Sequence, residues 1–288
     1  MDMAILKRAI FSLWLLAGVF SSVKADENAF WRYFGGKPVF RGGEGCSLRA
    51  GEAHQFARRR GYDVEYLPRL KSCLWVAYTL TPSDVSNQVG RVGSFRKDMD
   101  ALKVCVPDPA DYIGSGYDRG HMAPSQDMQY NEGVSRESFF MGNMMPQTPH
   151  LNRGEWKRFE TKTHNRVMPK DEVIPVQRVY VLVGPIFSKD GIKKFEEEQR
   201  VYEEEKQGRP PILKPDAFWK IVKYGVRVEA VIMNQHGVAQ SVSVQEISQK
   251  TGIEFFGGLS SGLRDHYLST VRFVYHSKDN ENKEKEKQ

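Results

Sequence analysis

The segment 117–124 reads Tyr-Asp-Arg-Gly-His-Met-Ala-Pro and brings a carboxylate, a guanidinium and an imidazole together within four residues. Successive side chains of a β-strand alternate between its two faces, so a strand here puts Arg119 and His121 on one face and Asp118 on the other. The segment therefore presents a cation and a base side by side. Because an unperturbed histidine has a pKa of about 6.5, His121 is neutral enough near pH 7 to accept a proton.

Side chains with oxygen donors follow this segment in the order Asn143, Gln147, Asn152 and Glu160. Mg²⁺ prefers oxygen ligands and keeps much of its own water, so a few amides and one carboxylate are enough to hold it. The planar guanidinium of Arg119 can stabilise negative charge on the non-bridging oxygens of a phosphate. The pattern therefore indicates a site for one hard cation and a phosphodiester.

Three of these side chains have more than one possible role. Asn152 is the best candidate for a direct metal ligand, and it is also placed to cap a predicted helix over 153–163. Glu160 follows eight residues later on the same flank of that helix and would act on the ion through water. Asp118 cannot share the face of His121 in a regular strand, so a structural hydrogen bond and a direct role both stay open for it.

Asn143 and Gln147 flank the turn at Pro146, where they can bond to the phosphate or position His121. Of the other histidines, His150 and His164 bracket the predicted helix. We expect neither of them to be needed for chemistry.

The run Asp-Arg-Gly-His, the later Asn-Met-Met-Pro-Gln and the Leu-Asn before an amphipathic helix resemble the DNA/RNA non-specific endonuclease family, which includes endonuclease G. The resemblance extends from about residue 75 to about residue 256 and is weakest between 188 and 215. It implies a ββα-metal motif, in which a two-stranded ribbon carries His121 and a crossing helix carries Asn152 and Glu160.

The resemblance also implies a Mg²⁺-dependent endonuclease that cleaves DNA and RNA regardless of sequence or sugar and leaves 5′-phosphates, with Mn²⁺ able to replace Mg²⁺. Two alternatives stay open: a more selective DNase or 5′-exonuclease of the mitochondrial type, and a secreted nucleic-acid-binding protein that has lost catalysis. The candidate catalytic residues are His121, Arg119, Glu160 and Asn143, the metal ligand is Asn152, and the candidate substrate contacts are Arg119, Gln147 and Asp118.

The predicted fold class is α+β, a single domain with a central, mainly antiparallel sheet and packed helices. Segments rich in β-branched and aromatic residues predict strands at 74–80, 178–187, 217–223 and 226–233, with Tyr224-Gly225 as the hairpin turn between the last two. Helices are predicted at 135–141, 153–163 and 243–250, the last ending before Gly252. Residues 26 to about 70 are rich in Gly and Arg and predict an extended lead-in.

Composition divides the chain into three parts. Residues 1–25 predict a signal peptide, because Lys7 and Arg8 precede an apolar run too short to span a bilayer and Val23-Lys24-Ala25 offers a cleavage site. Residues 26–276 form the predicted nuclease domain, with a charged insertion at 188–215, and 277–288 predict a disordered charged tail. We therefore expect a secreted or periplasmic protein with no stable membrane insertion after cleavage, and a mitochondrial location is the alternative.

The net charge of +6 suits a polyanionic partner such as DNA or RNA. Residues 189–206 hold five basic and seven acidic side chains, a net of −2, so the rest of the chain is more basic than the total indicates. Cys46, Cys73 and Cys105 contain no Cys-x-x-Cys pair, which argues against a zinc site and leaves three disulfide pairings open. A homodimer and a protein inhibitor are further possible partners.

Overall fold

The computed structural model describes residues 29–42, 46–98, 106–167 and 176–271. The strands are β1 Val39–Phe40, β2 Gln55–Arg58, β3 Tyr62–Leu67, β4 Ser72–Leu80, β5 Asp118–His121, β6 Met144–Gln147, β7 Val179–Ile186, β8 Ala217–Tyr224, β9 Arg227–Asn234, β10 Ala239–Ser241 and β11 Ile253–Glu254. The helices are α1 Ala29–Phe34, α2 Pro82–Ser86, α3 Glu132–Ser138, α4 Pro149–Arg153, α5 Glu155–His164, α6 Lys189–Glu205, α7 Val244–Thr251 and α8 Ser261–Ser269.

The centre of the fold is a seven-stranded sheet in the order β10-β9-β8-β7-β4-β3-β2. Every neighbouring pair in it is antiparallel. The middle strands β7 and β8 are almost entirely buried, and their Val, Ile, Leu and aromatic side chains each stabilise the fold by roughly 1.5–3 kcal/mol. The predicted α+β class and the strands predicted at 74–80, 178–187, 217–223 and 226–233 are confirmed.

Different helices cover the two faces of the sheet. On one face, Trp31 of α1 meets Trp75 of β4 with ring centroids 5.3 Å apart. On the other face, Trp156 of α5 meets Phe218 of β8, also at 5.3 Å. The second face is the one that carries the candidate site, because α5 follows directly on the ribbon and on α4.

The predicted extended lead-in over 26 to about 70 is wrong. Its described part forms α1 and β1, and it supplies β2 and β3 at one edge of the sheet. The sequence does not predict β3 as a strand, because Asp63 and Glu65 interrupt its apolar pattern. Glu65 is nevertheless buried, because Lys37 lies 2.9 Å from its Oε2 and His54 lies 2.6 Å from its Oε1.

The helix predicted over 153–163 is present as α5, but its predicted start and its cap at Asn152 are wrong. Two helices meet at Gly154, whose φ and ψ of −106° and −111° are not helical. A Cβ atom at this position would lie 2.4 Å from the backbone oxygen of His150. The cap is Thr148, whose hydroxyl accepts a hydrogen bond from Leu151 N at 3.2 Å, so Asn152 lies inside α4.

Smaller boundaries also differ from those predicted. The helix expected at 135–141 is α3, which begins three residues earlier because Asn131 caps it. The β8–β9 turn is formed by Gly225 and Val226, one residue later than predicted. The helix predicted at 243–250 is confirmed as α7, with Ser243 as its N-cap and Gly252 at its C-cap.

The charged segment predicted as an insertion begins with α6, which Arg69 attaches to the body by bonding both Glu52 and Glu196. Cys46 and Cys73 are buried and do not pair with each other, while the pairings that involve Cys105 fall outside the described residues. The predicted signal peptide and charged tail fall outside them too. Across the parts of the chain that the structure describes, no helix is long and apolar enough to cross a membrane.

Candidate active site

Strands β5 and β6 form an antiparallel two-stranded ribbon separate from the large sheet. In its register Asp118 faces Gln147, Gly120 faces Met145 and His121 faces Met144. The ribbon places Arg119 and His121 against the same ring, as the alternation of a strand requires. The Arg119 guanidinium lies 4.4 Å from the Phe95 centroid, and the His121 ring lies 5.8 Å from it.

His121 is held by aromatic rings instead of by a polar partner. Phe139 packs edge-on against its ring at 5.1 Å, and it also contacts Phe95, with ring centroids 5.4 Å apart. Its Nε2 is shielded from solvent and has no hydrogen-bond partner among the described residues. Burial, and secondarily the positive charge of Arg91, lower the pKa of His121 to about 3. The imidazole is therefore neutral at physiological pH.

Two arginines lie beside this imidazole. Arg119 is half-buried, and its guanidinium donates a hydrogen bond from Nη1 to Pro109 O at 3.1 Å, which fixes the guanidinium over the Phe95 ring. Arg91 is exposed, and its guanidinium lies 4.7 Å from the Phe139 centroid. Sequence reasoning missed Arg91, because it stands in a loop without periodicity and only the folded chain brings that loop to His121.

Asp118 links the ribbon to α4. It receives two hydrogen bonds from Arg153, at 2.7 and 2.8 Å, and one from Asn152 Nδ2 at 2.9 Å. The bonds from Arg153, and to a lesser degree the one from Asn152, lower the pKa of Asp118. With its amide nitrogen bound in this way, Asn152 is oriented with its carbonyl oxygen available to a ligand. The structural role that the sequence left open for Asp118 is thus present.

Asn143 is fully buried and all its hydrogen bonds go to backbone groups. Its Oδ1 accepts from Ala123 N at 2.8 Å, and its Nδ2 donates to Ala123 O at 3.0 Å and to Ser138 O at 2.8 Å. The side chain therefore fastens the segment that follows His121 to the end of α3. This burial argues against a direct contact with phosphate and favours the alternative of positioning His121.

Gln147 is also fully buried, and both polar atoms of its amide lack a hydrogen-bond partner among the described residues. The side chain lies against Gly120 in the neighbouring strand. The predicted direct contact between Gln147 and substrate does not fit this burial, because the side chain has no exposed surface to offer.

Glu160 lies in α5, close to the buried charged side chains of Lys220 and Asp127. Burial raises the pKa of Glu160 to about 7, against the opposing attraction of Lys220. Lys220 is fully buried, and its Nζ lies 4.4 Å from the centroid of the Trp156 ring. The negative charge of Asp127 also raises the pKa of Glu160. Asp127 itself forms a hydrogen bond of 2.8 Å with His164 Nδ1. Asn152 and Glu160 therefore belong to different helices with different surroundings, contrary to the shared flank that was predicted.

The oxygen donors at this site fit a hard cation that keeps most of its water better than a cation enclosed by protein ligands. Within the described ranges, no group of three or more His, Cys, Asp or Glu residues is arranged to hold a metal ion. Asn152 offers a neutral amide oxygen, and Glu160 Oε1 is a buried acceptor without a protein partner in that same part of the chain. An ion with few protein ligands keeps most of its water, as Mg²⁺ does.

The fold and the site define a class of protein: an α+β domain in which a histidine-bearing ribbon and an asparagine-bearing helix lie against an antiparallel sheet. The family model for DNA/RNA non-specific endonucleases matches residues 47–262. The chain belongs to this family.

Individual relatives agree with this assignment. Human mitochondrial endonuclease G is 33% identical over 134 residues, which are 46% of this chain and 43% of that protein. The match thus spans less than half the length of this relative. A nuclease of Nostoc sp. is 30% identical over 234 residues, 73% of this chain and 76% of its own. A nuclease of Serratia marcescens is 26% identical over 237 residues, 76% and 81% of the two chains.

Among solved structures, a chain in the crystal structure of the EndoG/EndoGI complex superposes with a TM-score of 0.61 and 20% identity, covering 83% of this chain and 95% of that one. At this identity the likeness shows the fold alone.

Proposed function

We propose that this protein is a metal-dependent endonuclease that hydrolyses phosphodiester bonds of DNA and RNA and leaves 5′-phosphates. The observation that carries the proposal is His121, a neutral imidazole packed against two phenylalanines with Arg119 and Arg91 beside it. A base next to two cations suits the attack of water on an anionic phosphodiester. Membership of the family supports the same reaction.

In the proposed reaction His121 takes a proton from the attacking water. Its low pKa keeps the ring unprotonated while the site is free of substrate. A bound phosphodiester brings negative charge near the ring, which offsets Arg91 and strengthens the affinity of the imidazole for the proton. His121 therefore becomes a better base when substrate is present.

Arg119 and Arg91 neutralise the charge that develops on the non-bridging oxygens, and their stacking on Phe95 and Phe139 holds both guanidinium groups in place. Asn152 would hold Mg²⁺, for which Mn²⁺ could substitute, and Glu160 would act on the ion through water. Mg²⁺, when bound, supplies Lewis-acid stabilisation at the phosphate and at the leaving 3′-oxygen.

The remaining candidates act as supports in this proposal. Asp118 orients Asn152, Asn143 fastens the segment after His121, and Gln147 fills the space behind Gly120. Their loss would displace the groups that touch substrate instead of removing a contact with it.

Recognition through phosphate and sugar carries no base information, and the sequence contains no helix-turn-helix, zinc-finger or RNP pattern for reading bases. We therefore infer that DNA and RNA are both substrates, in agreement with the description of the family.

We also infer export directed by residues 1–25, ahead of a nuclease domain over 26–276 and a tail over 277–288. A mitochondrial location is the alternative, because endonuclease G and the Schizosaccharomyces pombe nuclease are named mitochondrial. A dedicated protein inhibitor is a further proposal, supported by a fold relative solved as the EndoG/EndoGI complex. Assembly into a homodimer stays a prediction.

The proposal is tested by incubating the protein with closed circular plasmid, linear DNA and RNA, each with Mg²⁺ or Mn²⁺ and with EDTA. We expect all three to be cut with metal and none in EDTA. Cleavage of linear DNA with the closed circle left intact would favour the selective 5′-exonuclease. Binding without cleavage of any substrate would favour the catalytically silent binding protein.

Two variants locate the chemistry. His121→Ala should lose roughly 10²- to 10⁴-fold in turnover while still binding nucleic acid, and His266→Ala, at an exposed position in α8, is the matched control. Asn152→Ala should weaken Mn²⁺ binding measured by calorimetry, a readout independent of turnover. Wild-type turnover in His121→Ala would remove the histidine from the mechanism.

A further inference from the structure

A second group of cations lies beside the catalytic ribbon, in the connection 206–216 between α6 and β8. Arg209 and Lys214 are both exposed, and neither forms an ion pair with another described residue. Elsewhere the arginines are mostly neutralised, as where Arg41 and Arg264 share Glu254. The charge of Arg209 and Lys214 is therefore available to an external anion.

These two cations border the turn that leads into β5. Lys214 Nζ lies 5.3 Å from the centroid of the Tyr117 ring. Arg209 Nη1 lies 3.6 Å from the position that a Cβ atom on Gly114 would take. Tyr117 immediately precedes Asp118, so the cations adjoin the end of the ribbon where Asp118 binds Asn152. His121 stands at the other end of the strand.

The connection is fixed to the site by the interior of the protein. Leu213 and Pro215 are buried on either side of the exposed Lys214. The amide of Gln235 donates to Pro215 O and to Pro146 O in β6, both at 2.9 Å. The same side chain accepts a hydrogen bond of 2.9 Å from Thr148 N, at the start of α4. The backbone that carries Lys214 is therefore attached to both the ribbon and the start of α4.

The ribbon separates these cations from His121. Three residue steps from Asp118 to His121 span about 10 Å at roughly 3.3 Å per residue. A single phosphate group is much smaller than this separation, so the cations would meet a different phosphate from the one beside His121. We propose that Arg209 and Lys214 form a phosphate-contact subsite that holds the nucleic-acid backbone at a phosphate other than the one that is cleaved. This inference rests on the proposed function.

The first test measures binding without turnover, in protein that carries His121→Ala. Fluorescence anisotropy follows binding of a labelled 12-nucleotide single strand across a KCl titration. Arg209→Gln and Lys214→Gln should each reduce the slope of log K against log salt by about 0.7, and the double variant by about twice that. Lys193→Gln removes an equal charge from the exposed surface of α6 and should leave the slope unchanged. Lys214→Arg keeps the positive charge and should therefore have the same slope as the parent protein.

The second test uses the active protein and two substrate lengths. On the 12-nucleotide strand the double variant Arg209→Gln/Lys214→Gln should raise KM by tenfold or more and keep kcat. On a dinucleotide, whose single internucleotide phosphate is the one that is cut, KM should be unchanged.

A slope loss no larger than that of Lys193→Gln, or an equal rise in KM on both lengths, would overturn the subsite while leaving the endonuclease intact. Failure of the parent protein to bind or cut any nucleic acid would refute the proposed function, and the subsite with it.

Discussion

Position 120 has to be a glycine because the side chain of Gln147, in the neighbouring strand of the ribbon, fills the space beside it. A Cβ atom there would lie 2.2 Å from Oε1 and 2.6 Å from Cγ of Gln147, a side chain that is fully buried. The sequence predicts that Gly120 shares a face with Asp118, but it gives no sign that Gln147 occupies the space beside it. Such a contact between neighbouring strands depends on the register, which only the folded ribbon fixes.

This contact predicts an interaction between two substitutions. Gly120→Ala should destabilise the protein by about 1–3 kcal/mol, since overpacking forces the buried Gln147 to move. In a Gln147→Ala background, where the clashing atoms are gone, the same substitution should have much less effect. Urea unfolding of the four proteins measures the coupling. An equal loss in both backgrounds would show that Gln147 is not what excludes a side chain at position 120.

At the scale of secondary structure, long apolar elements could be predicted from the sequence and elements interrupted by polar residues could not. The four predicted strands are rich in β-branched and aromatic residues, and each is present in the central sheet. Strand β3 was missed because its buried Glu65 depends on partners distant in sequence. The α4–α5 break was missed because helical spacing continues through Gly154, where the obstacle is a backbone oxygen of the preceding turn.

Strand β8 contains two lysines whose surroundings differ, because the side chains at 220 and 223 point to opposite faces. Lys220 faces α5 and acts on Glu160, whereas Lys223 donates a hydrogen bond of 2.8 Å to Tyr33 O on the α1 side. Burial lowers the pKa of both lysines. Only at Lys220 do nearby carboxylates, those of Glu160 and Asp127, oppose this shift. The two lysines can therefore be compared to measure how a buried charge affects the stability of the protein.

We predict that Lys220→Met destabilises the protein in a pH-dependent way. The pKa of Glu160 is raised from 4.5 to about 7, so this carboxyl lowers stability progressively as pH rises through that window. Removing the attraction of Lys220 raises the pKa of Glu160 further and extends the loss above pH 7. The destabilisation should therefore be small at pH 5.5, where Glu160 is protonated in both proteins, and at most about 2 kcal/mol larger at pH 8.5, because each pH unit above 7 adds about 1.4 kcal/mol.

Denaturant unfolding at the two pH values measures this difference. Lys223→Met is the control, and its effect should be the same at both, because it loses a hydrogen bond to a carbonyl that does not titrate in this range. A pH-independent loss in Lys220→Met would show that the lysine contributes packing against Trp156 and Phe159 instead of charge.

At the scale of the whole molecule, the sequence motif predicts the candidate catalytic groups. The residues that surround and position those groups come together only when the chain folds. His121, Arg119 and Asp118 come from one strand, so their relation follows from local alternation alone. Arg91, Phe95 and the cations of 206–216 come from loops, and no periodic pattern relates these loops to the ribbon. Their placement depends on long-range packing through groups such as Gln235, which a single sequence does not disclose.

A broad nuclease would damage the nucleic acid of the cell that makes it, so the proposed function requires separation or inhibition. Lys7 and Arg8, the apolar run after them and Val23-Lys24-Ala25 predict separation by export, with cleavage before Asp26. Cleavage removes three basic residues and one acidic residue, and leaves a net charge of +6 − 3 + 1 = +4, which still suits a polyanionic substrate.

N-terminal sequencing of protein from its native cell should therefore begin at Asp26, in material recovered outside the cytoplasm. Ala25→Phe should block cleavage, because the site needs a small side chain next to the cut bond, whereas the matched Ala4→Phe, ahead of the apolar run, should be processed normally. An intact Met1 on cytosolic protein would contradict export and make a dedicated inhibitor necessary. Cleavage at a different position in mitochondrial protein would instead favour a presequence, and Ala25→Phe would then have no special effect.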